Sequence, residues 1–166
     1  LRLIQQVNYR LLQQPVNQSL KKEEIMEKVL FICGHNSGRS QIAQAYLNHL
    51  GSDRYNARSA GLKPAGSVND LVVEVMKEEG IDLSGAKPRP VFDMIKEGEL
   101  FSYVVTVCDR ETDENCPVFP GITNRENWPF PDPEDAEGTH EEKLDQVRKI
   151  RDSIKEKLIA YFSLES

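Results

Sequence analysis

Apolar residues along this chain fall into two kinds of pattern, short solid runs and helical stripes, and the two alternate. Val29-Leu30-Phe31-Ile32 is a wholly apolar run ending at a turn rich in Gly and Ser, the pattern of a strand buried on both faces. Ile42, Ala43, Tyr46, Leu47 and Leu50 then recur at helical spacing, with Ser40 expected to cap the helix and Gly51 to close it. Tyr55 to Ala60 reads as a second strand. A second helix carries Leu71, Val72, Val75 and Met76 on one face, opened by Ser67 with Asp70 three residues on and stopped by Gly80. Beyond Pro88 and Pro90, a short helix around Val91 to Ile95 leads into Tyr103 to Val107, whose β-branched content marks a third buried strand. Glu126 to Phe130 can form a fourth, short strand. Thr139 and Glu142 make a capping box for a long helix with the stripe Leu144, Val147, Ile150, Ile154, Leu158 and Tyr161.

Strands alternating with helices predict an α/β fold, a four-stranded parallel sheet covered on both faces in a three-layer sandwich. Ligands of such sheets bind beyond the carboxyl ends of the strands. Cys33 and Cys108 are both expected at those ends, so they can approach one another across a single crevice.

Composition narrows the function. The 166 residues suit one domain, and 21 Lys and Arg against 27 Asp and Glu give a net charge of -6. No global field attracts nucleic acid or anionic lipid, so any anion must be held by local geometry, and neither nucleic acid nor membrane is expected as a partner. No apolar run approaches the roughly 18 residues of a membrane span, and a cytoplasmic protein is expected. Residues 1–25, rich in Gln and Asn and interrupted by Pro15, read as a weakly ordered extension, with the domain proper at 26–166. Three cysteines, Cys33, Cys108 and Cys116, are too few and too odd in number for a disulfide scaffold, which makes each a candidate for chemistry. Paired metal-ligand spacings such as Cys-x2-Cys are absent, and no metal site is expected.

The segment Cys33-Gly34-His35-Asn36-Ser37-Gly38-Arg39-Ser40 lies between the first strand and the first helix, where successive backbone N–H groups can turn inward at a helix N-terminus. Gly34 and Gly38 allow the close approach that such a loop needs. Arg39 can fork two donors onto a tetrahedral oxyanion. His35 is expected to contribute its backbone more than its ring. The same positive field acts on the Cys33 sulfur. Cysteines so placed have pKa values lowered from about 8.5 to roughly 3.5–7.5, which predicts a thiolate nucleophile at neutral pH.

Cys108 and Cys116 are separated by seven polar residues, Asp-Arg-Glu-Thr-Asp-Glu-Asn. A loop without apolar anchors can bring Cys116 toward Cys108, within the Cα separation of about 5.5–6 Å that a disulfide requires. On the residues alone, an inert pair, one thiol in the core and one in a loop, is the favoured reading.

The run Val29 to Ala45, VLFICGHNSGRSQIAQA, resembles the phosphate-loop signature of the low-molecular-weight protein tyrosine phosphatase superfamily. Ser59-Ala60-Gly61 and Asp132-Pro133 resemble its other two landmarks, and the similarity runs from about Lys28 to Phe162. It implies Cys33 as nucleophile, Arg39 as oxyanion ligand and Asp132 as the acid that protonates the leaving group, with Asn36, Ser40 and Ser59 supporting the loop. Val105-Thr-Val-Cys108, Asn115-Cys116-Pro117 and Asn127-Trp128-Pro-Phe-Pro-Asp132 are similar to the superfamily's arsenate reductase branch, in which two further cysteines relay oxidation outward. That branch implies a Cys33 to Cys108 disulfide, then a Cys108 to Cys116 disulfide on an exposed loop. Thioredoxin or a glutathione/glutaredoxin system would reduce it, with no bound cofactor.

Glu134 and Asp135 follow the Asp-Pro pair where phosphatases of this fold carry aromatics, and an acidic rim disfavours phosphotyrosine peptides. Thioredoxin-coupled members often carry another Cys where this chain has Gly38, and a cation-binding acid where it has Gln44. Two alternatives stay open: a phosphatase acting on phosphomonoesters through a Cys33 phosphoenzyme, and a non-catalytic module that senses oxyanions or oxidation.

Overall fold

The computed structural model describes residues 26–108, 116–121 and 123–165. The extension expected at 1–25 and the polar segment 109–115 lie outside the described residues. The elements run β1 (Glu27–Cys33), α1 (Arg39–Leu50), β2 (Tyr55–Gly61), α2 (Asp70–Glu78), α3 (Val91–Lys96), β3 (Tyr103–Thr106), β4 (Asn124–Asn127), a 3-10 turn (Pro133–Asp135) and α4 (His140–Phe162).

The strands form one parallel sheet in the order β2-β1-β3-β4. Its centre is β1, whose apolar run is split between the faces by the period of two. Val29, Phe31 and Cys33 enter one core with Ile42, Tyr46 and Leu47 of α1, Val72, Val75 and Met76 of α2, and Leu144, Val147, Ile154 and Leu158 of α4. Leu30 and Ile32 enter the other with Val91 and Met94 of α3, Phe101, Val104, Cys116 and Phe119. The expected three layers are present.

Two helix caps and the fourth strand differ from expectation for a local reason. Gly38, not Ser40, is the N-cap of α1, because the Ser40 hydroxyl is drawn into contacts with Cys33 and Asn36 instead. Asn69, not Ser67, caps α2, its Oδ1 accepting from the N–H groups of Leu71 and Val72. The fourth strand is Asn124–Asn127 rather than Glu126 to Phe130; it is an edge strand without apolar alternation, and pairing with Tyr103–Thr106 alone sets its register. The Thr139–Glu142 capping box forms as the pattern predicts.

Candidate active site

The loop joining β1 to α1 owes its shape to donors that surround it. Its carbonyl oxygens are taken from outside: Leu62 N–H donates to Cys33 O at 3.2 Å, Lys63 to Gly34 at 2.9 Å, Ala65 to His35 at 2.9 Å and Asn69 to Ser37 at 2.9 Å. With the carbonyls turned out, the N–H groups of Gly34, His35, Ser37, Gly38 and Arg39 have no acceptor among the described residues. The Asn36 N–H points at the Cys33 sulfur, 3.2 Å away. An inward ring of N–H groups at a helix N-terminus suits a tetrahedral anion.

Asn36 is the hub of the loop. It is fully buried and adopts a left-handed φ of 53°, a conformation that Asn tolerates better than most residues. Its Nδ2 donates to Ser40 Oγ at 2.8 Å and to Ser59 Oγ at 2.9 Å. Its Oδ1 accepts from the Arg89 N–H at 2.8 Å and from Gln41 Nε2 at 3.2 Å. Ser40 Oγ, already an acceptor, lies 3.0 Å from Cys33 Sγ, so its proton is available to the sulfur. Ser59 Oγ in turn donates to Gln44 Oε1 at 2.7 Å. The Ser-Ala-Gly landmark has a steric meaning as well: a Cβ on Gly61 would stand 2.9 Å from Asn36 N and 3.0 Å from Gly34 O, so only glycine lets β2 back this loop.

The third landmark closes over the front. The buried Arg39 guanidinium pairs with the Asp132 carboxylate through Nη2 and donates from Nη1 to Phe130 O at 3.0 Å. Asp132 Oδ1 accepts the Glu134 N–H at 3.1 Å and so caps the 3-10 turn. Ser37 Oγ donates to Glu134 Oε1 at 3.0 Å, and a Cβ on Gly38 would stand 3.1 Å from Pro133 Cγ, so the turn rests directly on the loop. The structure thus brings Cys33, Arg39, Asp132, Asn36, Ser40 and Ser59 into one site.

The other two cysteines lie differently. No disulfide joins the three thiols. Cys108 is fully buried just beyond β3, in the same core cluster as Cys33, with its Sγ 3.8 Å from Ile32 O on the neighbouring strand. Cys116 is also buried, but among Phe101, Phe119, Val91 and Met94 against the opposite face of the sheet. This corrects the expectation of a loop thiol without apolar anchors: the anchor is Phe119, three residues on, a signal that the polar run 109–115 obscures.

The profile of the family described as low molecular weight phosphotyrosine protein phosphatase matches residues 28–165. The chain belongs to that family. Among curated members, the chain is 39% identical to an arsenate reductase of Bacillus licheniformis over 132 residues, 78% of this chain and 91% of the relative. Among solved structures it resembles an arsenate reductase in a phosphate-binding state, with TM-score 0.65, 27% identity, and coverage of 83% of this chain and 98% of that one. It also resembles a thioredoxin-dependent arsenate reductase of Corynebacterium glutamicum, with TM-score 0.55, 34% identity, and coverage of 81% of this chain and 63% of that one.

Within this phosphatase family fold, Gln41, Gln44, Glu134 and the Arg89 backbone hold the site although they are not among its expected residues. Gln41 and Gln44, three apart on α1, offer a faint helical signal; Arg89 acts through its main chain and offers none. Gln44 also decides the cation question. Behind Ser59 lies a cavity of about 270 Å³ lined in part by Gln41, Gln44, Arg58, Ser59, Lys87 and Arg89, and none of its lining residues is an Asp or Glu. A potassium ion there would find no carboxylate among the residues that line it, which include Arg58, Lys87 and Arg89, so the residues present do not fit it.

Proposed function

We propose that the protein reduces arsenate to arsenite by a three-thiol relay. The observation that carries this reading is the placement of Cys33 under an inward ring of N–H groups, with Cys108 at the end of the adjacent strand in the same core cluster. The curated arsenate reductase relatives support it.

Arsenate enters the loop and is bound by the N–H groups of Gly34, His35, Ser37, Gly38 and Arg39. Its charge draws the Arg39 guanidinium away from Asp132. Cys33 Sγ then attacks arsenic, and an arsenate oxygen departs as water with a proton from Asp132. Cys108 attacks Cys33 Sγ; the sulfur–arsenic bond breaks, its electron pair stays on arsenic, and arsenite leaves with arsenic reduced from the +5 to the +3 state. Cys116 attacks Cys108 and frees Cys33. An external dithiol, thioredoxin or a glutathione/glutaredoxin system, returns two electrons and two protons to the Cys108–Cys116 disulfide. A reducing cytoplasm suits such a cycle. No metal or flavin is required by this balance.

Because Cys116 lies on the opposite sheet face, its segment must leave the Phe101–Phe119 cluster before the second exchange. The test is arsenite release with each reductant system, in the parent and in Cys33→Ser, Cys108→Ser and Cys116→Ser. Turnover is expected to fail in all three. Full activity in the last two would refute the relay, and aryl phosphate hydrolysis that is fast and indifferent to Cys108 would favour the phosphatase reading instead.

A further inference from the structure

Cys108 stands beyond the end of the strand that carries it. The register of β3 with both neighbours stops at Thr106, which faces Ile32 on one side and Asn127 on the other. Main-chain bonds extend the pairing a little further, from Val107 N–H to Ile32 O at 2.8 Å and from Trp128 N–H to Thr106 O at 2.8 Å. What reaches the main chain of Cys108 from β4 is a side chain. Asn127 Nδ2 forks, donating to Thr106 Oγ1 at 2.9 Å and to Cys108 O at 3.2 Å, and so spends both of its protons on β3 and the residues just past it. A carbonyl oxygen can only accept, so the amide atom that faces Cys108 O is the nitrogen. The buried Thr106 hydroxyl gives its one proton to Glu126 O at 3.2 Å and therefore meets Asn127 with a lone pair.

We propose that Asn127 is a positioning residue for the second step of the relay, holding the Cys108 main chain in place for attack on Cys33 Sγ. The proposal rests on the three-thiol reading of the function. In that step the Cys108–Cys33 bond forms, the Cys33–arsenic bond breaks with its electron pair left on arsenic, and the Cys108 thiol proton departs on an arsenite oxygen. Displacement at sulfur runs in line with the breaking bond, and a misplacement of about 1 Å in such a step can cost 10²-fold. Cys108 is fully buried, with Sγ 3.8 Å from the carbonyl oxygen of Ile32, the residue before Cys33. Tying down its carbonyl leaves the rotation of its own side chain as the freedom that remains. The bonds of Asn127 go to Thr106 Oγ1 and Cys108 O and to none of the groups that hold the anion loop, so its effect on Cys108 is separable from oxyanion binding at Cys33.

The two steps can be read apart in the full-length chain. Asn127→Ala and Asn127→Asp, the second keeping the shape but losing both donors, are each combined with Cys116→Ser. Reduced protein is mixed with excess arsenate, and arsenite and the Cys33–Cys108 disulfide are timed by acid quench and mass spectrometry. The anion loop is followed by iodoacetamide alkylation of Cys33 and its protection by inorganic phosphate. Both double variants are expected to form disulfide and arsenite at least about tenfold more slowly than Cys116→Ser alone, while the alkylation rate and the phosphate dissociation constant stay within about twofold. Disulfide formation at an unchanged rate, recovery of the full rate in Asn127→Asp, or an equal loss in phosphate binding would overturn the positioning role and leave the relay standing. Cys116→Ser protein that makes neither arsenite nor the disulfide would overturn the relay, and this role with it.

Discussion

Cys33 and Cys116 are both buried thiols, yet their surroundings have little in common. Cys33 also belongs to an apolar core, but its sulfur meets directional polar groups: the Asn36 N–H, the Ser40 hydroxyl and a loop whose carbonyls are tied back by residues 62–69. Cys116 lies instead in an apolar cluster, with Phe119 set edge-on to Phe101 at a centroid distance of 5.6 Å. Hydrogen bonds fix where an atom is and which way its lone pairs face, whereas apolar packing opposes exposure without fixing orientation. On the proposed relay, the first thiol is held ready for attack and the last is out of reach until its cluster opens.

The comparison is broken most severely at the nucleophile. Cys33→Ser is expected to lower arsenate reduction by at least about 10³-fold while leaving the Tm within a few degrees, since an oxygen in place of the sulfur keeps the hydrogen bonds but not the nucleophilicity. Steady-state arsenite release and a thermal melt check both. Asn36→Ala comes next. It removes the shared partner of Ser40, Ser59, Gln41 and the Arg89 N–H and places alanine at a left-handed φ, so a loss of activity of about 10²-fold and of roughly 3 kcal/mol in stability is expected by urea unfolding.

At the other thiol the same logic predicts the opposite sign for reactivity. Phe119→Ala empties part of the cluster over Cys116 and costs roughly 3 kcal/mol, but alkylation of Cys116 is expected to accelerate several-fold while that of Cys33 is unchanged. Rates measured peptide by peptide after iodoacetamide would expose an error here, should Cys116 react no faster.

The smallest effect lies far from both thiols, where α2 meets α4. Lys155 donates to Glu79 and Arg148 to Glu78, and these contacts hold both carboxyls below the usual carboxylate range. A carboxylate with a lowered folded pKa stabilises the protein above its unfolded pKa, and that contribution is lost as pH falls through the folded value. Glu79→Gln is therefore expected to lower the Tm slightly at pH 7 and to flatten its decline below about pH 4, with no change in arsenite release.

How much of this was readable in the residues divides along the same line. The apolar run of β1, the stripe of α4 and the Thr139–Glu142 box translate directly into structure because periodicity and capping are local. The meeting of Cys33, Arg39 and Asp132 in one place is legible because the loop and the Asp-Pro pair are short motifs. The expectation of Ser40 as a helix cap fails because its hydroxyl has better partners in Cys33 and Asn36, which helix periodicity does not encode although the loop motif does. Cys116 failed for a similar reason: its burial depends on Phe101, which the chain brings in from before β3. Groups acting through the backbone, such as Arg89, leave no trace in side-chain pattern.

The relay itself is tested most directly by mapping disulfides by mass spectrometry after treating the reduced full chain with arsenate in the absence of any reductant. Arsenite equimolar with protein, a Cys108–Cys116 disulfide and an alkylatable Cys33 are expected, with a Cys33–Cys108 disulfide trapped in Cys116→Ser. Arsenate left unreduced, or arsenite formed while Cys108 and Cys116 both remain alkylatable, would contradict it.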